Sequence, residues 1–318
     1  MQWIVTPADA GERLDAFLKR QMPARSRAFL QSIIRRGRVQ VNGAAHMPAY
    51  RLKVEDRVEA ADTSPDDEKQ KDIQPEPDLP VRICETREDF IIIDKPAGMS
   101  THPVNAEGRG TAANWLVGRF PEARAVGDDA LRPGIVHRLD RYTSGVMVVA
   151  RTQEMFAHLK DCFKGHQVKK EYVAIVEGVP QKREGVVEGH VVPSAKRYDR
   201  RVLRLLPVSR SAKISRSRYV VERRIGERAS MVRFFPETGR THQIRLHAKA
   251  LKTPIIGDVA YGARIALPAE LGGRFYLHAE RLAFPLQDGS MAEFYVPPSN
   301  DFAEVAKWLE KRGVSGEN

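Results

Sequence analysis

The sequence predicts an α+β protein: a small basic domain followed by a larger domain built on a mixed, largely antiparallel sheet with flanking helices. Three observations carry this. Apolar residues recur at helical spacing in the first third of the basic stretch 11–60 and again up to Ile34. Between 61 and 80 the composition turns acidic and proline-rich. Beyond 80, strand patterns outnumber helical ones, and the connections are mostly too short for the helical crossovers of a parallel sheet. The 318 residues favour about two domains, and 42% hydrophobic residues supply a core for each. The boundaries are set at 11–60 and 81–312, with 61–80 as a linker.

In the first domain, Leu14, Phe17, Leu18 and Met22 mark one helix. Ser26 is placed to cap a second, with apolar positions Phe29, Leu30, Ile33 and Ile34, and Gly37 suits the left-handed position after its end. Val39 and Val41 alternate as a strand, and Asn42-Gly43 signals a tight turn. The linker holds seven acidic and two basic residues with Pro65, Pro75, Pro77 and Pro80, a composition that stays solvated.

In the second domain, Phe90-Ile91-Ile92-Ile93-Asp94 reads as a buried strand stopping at Lys95-Pro96, and Gly145–Ala150 as another. Thr152 caps a helix that places Met155, Phe156, Leu159, Cys162 and Phe163 on one face and closes at Gly165. Further strands are expected at Glu171–Val176, Tyr219–Val221, Met231–Phe235 and Phe275–His278. Phe302, Val305, Ala306 and Leu309 give the stripe of a closing helix.

Charge narrows the partners. A net charge of +11 favours a polyanion, either nucleic acid or an anionic membrane surface. No apolar run approaches the ~20 residues of a membrane span. The first residues, Met1–Pro7, lack the basic and apolar regions of a signal peptide, so a cytoplasmic protein is expected. Two cysteines, Cys84 and Cys162, make neither a disulfide framework nor a zinc cluster. Nine histidines include no His-x-x-x-His pair, so no metal is expected. There is no internal repeat and no Walker-type or dinucleotide loop.

Arg25 and Arg27 open the second helix, and Arg35, Arg36 and Arg38 close it. A solvated helix face accounts for any one of them. As a cluster they suit phosphates, which a guanidinium matches bidentately. A second basic stretch, 182–233, holds fifteen basic and five acidic residues, with Arg197, Arg200, Arg201 and Arg204 clustered around Tyr198. It is expected to track phosphates with salt-sensitive affinity.

The chemistry points to His137-Arg138-Leu139-Asp140-Arg141-Tyr142-Thr143-Ser144-Gly145. Here a carboxylate is crowded by cations directly before an apolar strand, a rigid mount for a reactive group. A turn in which Asp140 bonds its own backbone accounts for Thr143 and Ser144, but poorly for the flanking arginines.

Two resemblances follow. Arg13-Leu14-Asp15, Ser26-Arg27 and Ile34-Arg35-Arg36-Gly37-Arg38-Val39-Gln40-Val41-Asn42-Gly43 resemble an S4 RNA-binding domain. The loop at Asp140 resembles the hallmark of the RluA-type RNA pseudouridine synthases, and its opening His137 sets it apart from the RsuA type, which usually has glycine there. The likeness spans most of 81–296. It includes Asp94–Met99 with His102-Pro103, Lys170–Gly178, Thr238–His247, Pro254–Asp258 with Tyr261-Gly262, and Leu277-His278-Ala279.

The resemblance implies a synthase fold and uridine isomerisation without a cofactor, by a monomer acting on structured RNA, with large-subunit ribosomal RNA favoured over tRNA. It implies Asp140 as the catalytic carboxylate, Arg245 as the cation that keeps it ionised, and Tyr172 as the ring on the target base. Lys95, His102, His137, Arg138, Leu139 and Arg141 fall among its substrate contacts, with Arg141 filling the space of the flipped nucleotide. Two other readings stay open. A catalytically silent RNA-binding or ribosome-assembly protein would have no reason to keep Asp140, Tyr172 and Arg245 together. A small-substrate glycosidase would need a second catalytic carboxylate, which the motifs do not offer.

Overall fold

The computed structural model describes residues 1–23, 25, 27–35, 37–61, 73–105, 107–194, 200–206 and 212–314. The chain divides into two compact units, Met1–Ile73 with Asp128–Leu131, and Gln74–Gly127 with Arg132–Asn318. The first unit holds β1 (Gln2–Ile4), α1 (Leu14–Gln21), α2 (Arg27–Arg35), β2 (Val39–Val41), β3 (Ala44–Ala45) and β4 (Arg57–Ala60). Its sheet runs β1-β4-β2-β3, antiparallel throughout.

Leu14, Phe17 and Leu18 of α1 and Leu30, Ile33 and Ile34 of α2 pack with Val39, Val41 and Val58 into one core. Gly37 is left-handed at φ 71°, and the Gly37 and Arg38 amides cap the carbonyls of Ile34 and Ile33. Asn42 and Gly43 both have positive φ, as a two-residue hairpin turn of the primed type requires. Ser26, expected as a cap, lies outside the described residues.

The unit starts earlier than residue 11, because Gln2–Ile4 pairs with Arg57–Glu59. Three residues are too few for alternation to register. The linker also shrinks. Asn114 donates its side-chain amide to the Gln74 carbonyl, and Glu76 accepts from the Gly110 amide and donates its own amide to the Asn114 carbonyl. Residues 74–77 therefore belong to the second unit.

The second unit holds β5 (Arg82–Thr86), β6 (Phe90–Lys95), α3 (Ala112–Arg119), β7 (Ser144–Ala150), α4 (Gln153–Lys164), β8 (Lys169–Glu177), β9 (Glu184–Pro193), β10 (Arg201–Arg204), β11 (Lys213–Ile225), β12 (Ala229–Pro236), α5 (Gln243–Ala250), β13 (Leu277–Pro285), β14 (Met291–Tyr295) and α6 (Asn300–Val314). Its sheet runs β10-β9-β11-β12-β8-β13-β7-β6-β5, with β14 on the far half of β13. One pairing is parallel, where His278 and Ala279 of β13 meet Ser144 and Gly145 of β7. All other ladders are antiparallel.

Period-two alternation along β8 sorts the two faces. Ala174 and Val176 face a core with Ile244 and Ala248 of α5, and Tyr172 packs at its edge. Val173 and Ile175 face the opposite way, against Phe302, Val305 and Leu309 of α6. All seven residues of β7 are buried, as its unbroken apolar run requires.

Thr152 caps α4 by accepting from the Met155 amide. The helix closes at Gly165, as expected. Gly165 keeps φ −79°, and His166 takes the left-handed turn at φ 58°. The Gln167 and His166 amides then cap the carbonyls of Cys162 and Phe163. The last expected strand begins at Leu277, two residues late, because Tyr276 exchanges backbone bonds with Ile175 and Ile256 instead.

Candidate active site

The loop 137–143 is built to hold one carboxylate still. Its backbone closes a turn, with the Thr143 amide bonded to the Asp140 carbonyl at 3.0 Å. Leu139, buried at its centre, is clamped by Thr101, whose hydroxyl donates to the Leu139 carbonyl and accepts from its amide. Gly98 gives its amide to the Arg141 carbonyl and receives the Arg141 Nε at 2.9 Å. Lys95 lies beneath, fully buried, with its ammonium on the carbonyls of Pro96 and Met99 at 2.8 Å and of Arg141 at 3.4 Å. Burial lowers its pKa to about 7, against the pull of the Asp140 charge.

Where the loop enters β7, Gly145 sits at φ 116°, and a Cβ there would lie 2.1 Å from the Ala279 carbonyl oxygen. The neighbouring side chains lock the same junction. Arg274 donates to the Ser144 hydroxyl, which donates to His278 Nδ1, whose Nε2–H donates to the Val296 carbonyl at 2.8 Å.

Asp140 opens onto a cleft of about 460 Å³ walled by the loop 136–143, the end of α4, the start of β8 and residues 236–245. This volume falls within the roughly 300–1,000 Å³ of small-ligand pockets. Arg245, on α5, points Nη1 at the Asp140 carboxylate from 3.5 Å. The rest of its fork is spent on Asp258, Nε at 2.7 Å and Nη2 at 2.8 Å. Its guanidinium also lies over the rings of Tyr261 and Phe275. Burial opposes the Arg245 charge, but the bonds to Asp258 and the two carboxylate charges outweigh it and raise its pKa. The guanidinium is thus fixed before it meets Asp140.

His242 stands on the other side of Asp140, Nε2 at 3.9 Å. Its Nδ1 is 2.7 Å from the Tyr261 hydroxyl, which accepts from the Arg201 amide. Burial lowers the His242 pKa despite the nearby carboxylate, so the ring is neutral at neutral pH. With the Tyr261 proton on Nδ1, the Nε2–H faces Asp140.

Tyr172 shows part of its ring to the cleft. Burial, and secondarily the Asp140 charge, push its phenol above the ordinary range, so it stays protonated. His137 stacks on Phe163 at 4.7 Å and accepts the Val148 amide on Nε2. Burial, with help from the Lys170 charge, lowers its pKa to about 3.

Of the residues singled out in the sequence, His137, Arg138, Leu139, Asp140, Tyr172 and Arg245 line this one cleft. One expected contact needs correction. Lys95 does not reach the cleft, since it is fully buried with its ammonium on carbonyls beneath the loop, while Leu139 is nearly fully buried where it borders the cleft. Arg141 is exposed beside the cleft, and His102 meets Arg138 at 3.5 Å from Nε2.

In the first unit, Arg25 lies over the Phe29 ring and Arg38 is exposed. The side chains of Arg27 and Arg35, and the whole of Arg36, Arg197 and Tyr198, lie outside the described residues. Arg200 donates to the Ala260 carbonyl at 2.8 Å, and Arg204 is exposed. Sequence reasoning missed Asp258, His242 and Tyr261 as partners of the site. The signal for Asp258 was an acid straight after the apolar run Ile255-Ile256 and Gly257. Among the described residues no cluster of His, Cys, Asp and Glu is placed to hold a metal. No described helix is long and apolar enough to cross a membrane.

With this geometry in view, the comparisons with known proteins agree. Residues 89–250 match the RNA pseudouridylate synthase family, and residues 12–58 match the S4 domain. An uncharacterised RNA pseudouridine synthase of Synechocystis is 33% identical over 97% of this chain and 92% of its own. The ribosomal large subunit pseudouridine synthase D of Xanthomonas campestris is 34% identical over 89% of this chain and 84% of its own. Among solved structures, human RNA pseudouridylate synthase domain containing 1 superposes with a TM-score of 0.56 at 26% identity, covering 71% of this chain and 86% of its own.

Proposed function

We propose, for a chain that belongs to the RNA pseudouridylate synthase family, that Asp140 is the carboxylate that carries the isomerisation and that large-subunit ribosomal RNA is the substrate. The chain is an RNA pseudouridine synthase with an S4 RNA-binding domain. The observation that supports the role of Asp140 is its pairing. A carboxylate in a recessed cleft faces one cation, Arg245, which Asp258 and two aromatic rings already hold in place. Such an arrangement keeps an oxyanion ready without water having to reorganise around it.

The reaction breaks C1′–N1 of a uridine, turns the base and joins C1′ to C5. The C5 proton is lost and N1 gains one. Asp140 serves either by attacking C1′ or by removing a ribose proton, and both routes use the same ionised carboxylate. Tyr172 bounds the uracil by its ring face. Burial holds its phenol protonated in the free protein, which favours contact by the ring as its role. The exposed guanidinium of Arg141 fills the gap left when the nucleotide leaves its stack. No step in this scheme calls for a metal or an organic cofactor.

The large-subunit target rests on the name of the Xanthomonas relative and on the S4 domain. Mapping pseudouridine in cellular RNA with and without the protein tests both halves. Sites in large-subunit RNA should vanish on deletion, return with the wild type and stay absent with Asp140→Asn. Restoration by Asp140→Asn would remove Asp140 from its role. Sites changing only in tRNA would move the substrate, and no changed site would leave a protein that only binds RNA.

A further inference from the structure

Two cations at one end of the cleft have no carboxylate among the described residues. Lys170 opens β8, and period two puts it on the same face as Tyr172, about 7 Å along the strand. Its ammonium is recessed and reaches one protein group, the Thr238 carbonyl, at a long 3.4 Å. Arg240, whose Nε donates to the Ile214 carbonyl, lines the same cleft.

Lys170 contrasts with the recessed arginines of the unit. Arg245 has Asp258, Arg274 has Asp301, and Arg233 is held by Glu171, Glu222 and Glu280. Lys170 is instead penalised by burial and by the like charge of Arg240, which together bring its pKa to about 8. It is still mostly charged at neutral pH, and Asp140 is already answered by Arg245. A desolvated charge without a carboxylate, beside a like charge, costs stability until an anion joins it.

The space beside them is open. Residue 239 is glycine, and a Cβ there would lie 3.9 Å from the Lys170 ammonium, so any longer side chain would reach into the gap. We propose that Lys170 and Arg240 form a phosphate subsite that grips a phosphodiester next to the uridine lying against Tyr172. This rests on the reading of the cleft as the uridine site. The subsite fixes the backbone of the target strand while the base turns. The ammonium supplies a point charge, and the guanidinium supplies a planar fork.

The test is binding of an unmodified large-subunit ribosomal RNA transcript as a function of KCl, in an Asp140→Asn background. Lys170→Met should weaken binding about tenfold and flatten the slope of log Kd against log salt by about one. Lys170→Arg should recover most of both. Gly239→Asp, which sets a carboxylate beside the ammonium, should weaken binding similarly, and adding it to Lys170→Met should bring little further loss. Thermal unfolding supplies the readout that a structural role would move the other way. Removing an unpaired recessed charge should hold or raise the Tm of the free protein.

An unchanged salt slope in Lys170→Met, or a lowered Tm with the slope intact, overturns the subsite. Binding that depends on Lys170 in a protein that makes no pseudouridine would instead overturn the assignment of the reaction and leave the subsite standing.

Discussion

Asp258 never faces the cleft, yet the geometry of Asp140 depends on it. It is buried and accepts two of the hydrogen bonds that the Arg245 guanidinium can give. Asp258→Asn removes the charge and one acceptor without changing volume. Arg245 is then free to rotate toward Asp140 or away from it. We expect kcat to fall by roughly 10–100-fold, the equivalent of about 1.5–3 kcal/mol for a hydrogen bond to a charged group, with KM little changed. Single-turnover measurement on a large-subunit RNA transcript checks this, and a loss confined to KM would contradict it.

The residue was quoted in the sequence but not understood there. Asp140, Tyr172 and Arg245 lie within contiguous motifs, and the structure brings them into one cleft. Asp258 meets its partner only through the fold, and an acid after glycine reads most simply as a turn. Lys95 was misread for the converse reason. The resemblance places it among the substrate contacts, and only the packing of residues 95–101 under the loop shows that its ammonium serves carbonyls.

At the scale of elements, the junction of β7 with β13 decides whether the loop is formed. Gly145→Ala would place a methyl group 2.1 Å from the Ala279 carbonyl and hold a side chain at φ 116°. Both faults are backbone faults, which repacking does not relieve. We expect a loss of at least about 3 kcal/mol, read as a lower urea midpoint, together with loss of activity. Gly239→Ala, where the nearest neighbour is the flexible end of Lys170, should leave the midpoint within about 0.5 kcal/mol of the wild type.

The elements themselves were largely readable. The unbroken apolar runs of β6 and β7, the alternation in β8, and the stripes of α1, α2, α4 and α6 come from short-range periodicity. What was not readable was short or competitive. The strand Gln2–Ile4 has too few residues to show a period, and the left-handed turn after α4 fell to His166 although Gly165 stood beside it. In the same way, residues 74–77 look like linker by composition. Their place is set by Asn114 and by Gly118, where a Cβ would meet the Pro77 nitrogen at 2.6 Å.

At the scale of the whole molecule, buried neutral histidines tie stability to pH. His137 and His247 have folded-state pKa values of about 3 and about 4, lowered by burial, against roughly 6.5 in the unfolded chain. As pH falls below 6.5 the unfolded chain takes up protons that the folded one refuses. The contribution is therefore fully present above 6.5 and is lost downward, each histidine adding a slope approaching about 1.4 kcal/mol per pH unit. Urea midpoints should fall steadily from pH 7 to pH 5. A flat profile would mean that both rings are charged in the native state.

The short parallel contact between β7 and β13 has a consequence in time as well as in space. It joins Ser144 to His278, 134 residues apart along the chain, and Arg274 completes the lock on the same loop. A ribosome making this protein finishes the Asp140 loop long before it makes the strand that shapes it. A nascent chain stopped short of β13 would carry the whole carboxylate motif without its working geometry. The loop therefore takes its working geometry only after β13 has been made and has folded back onto β7.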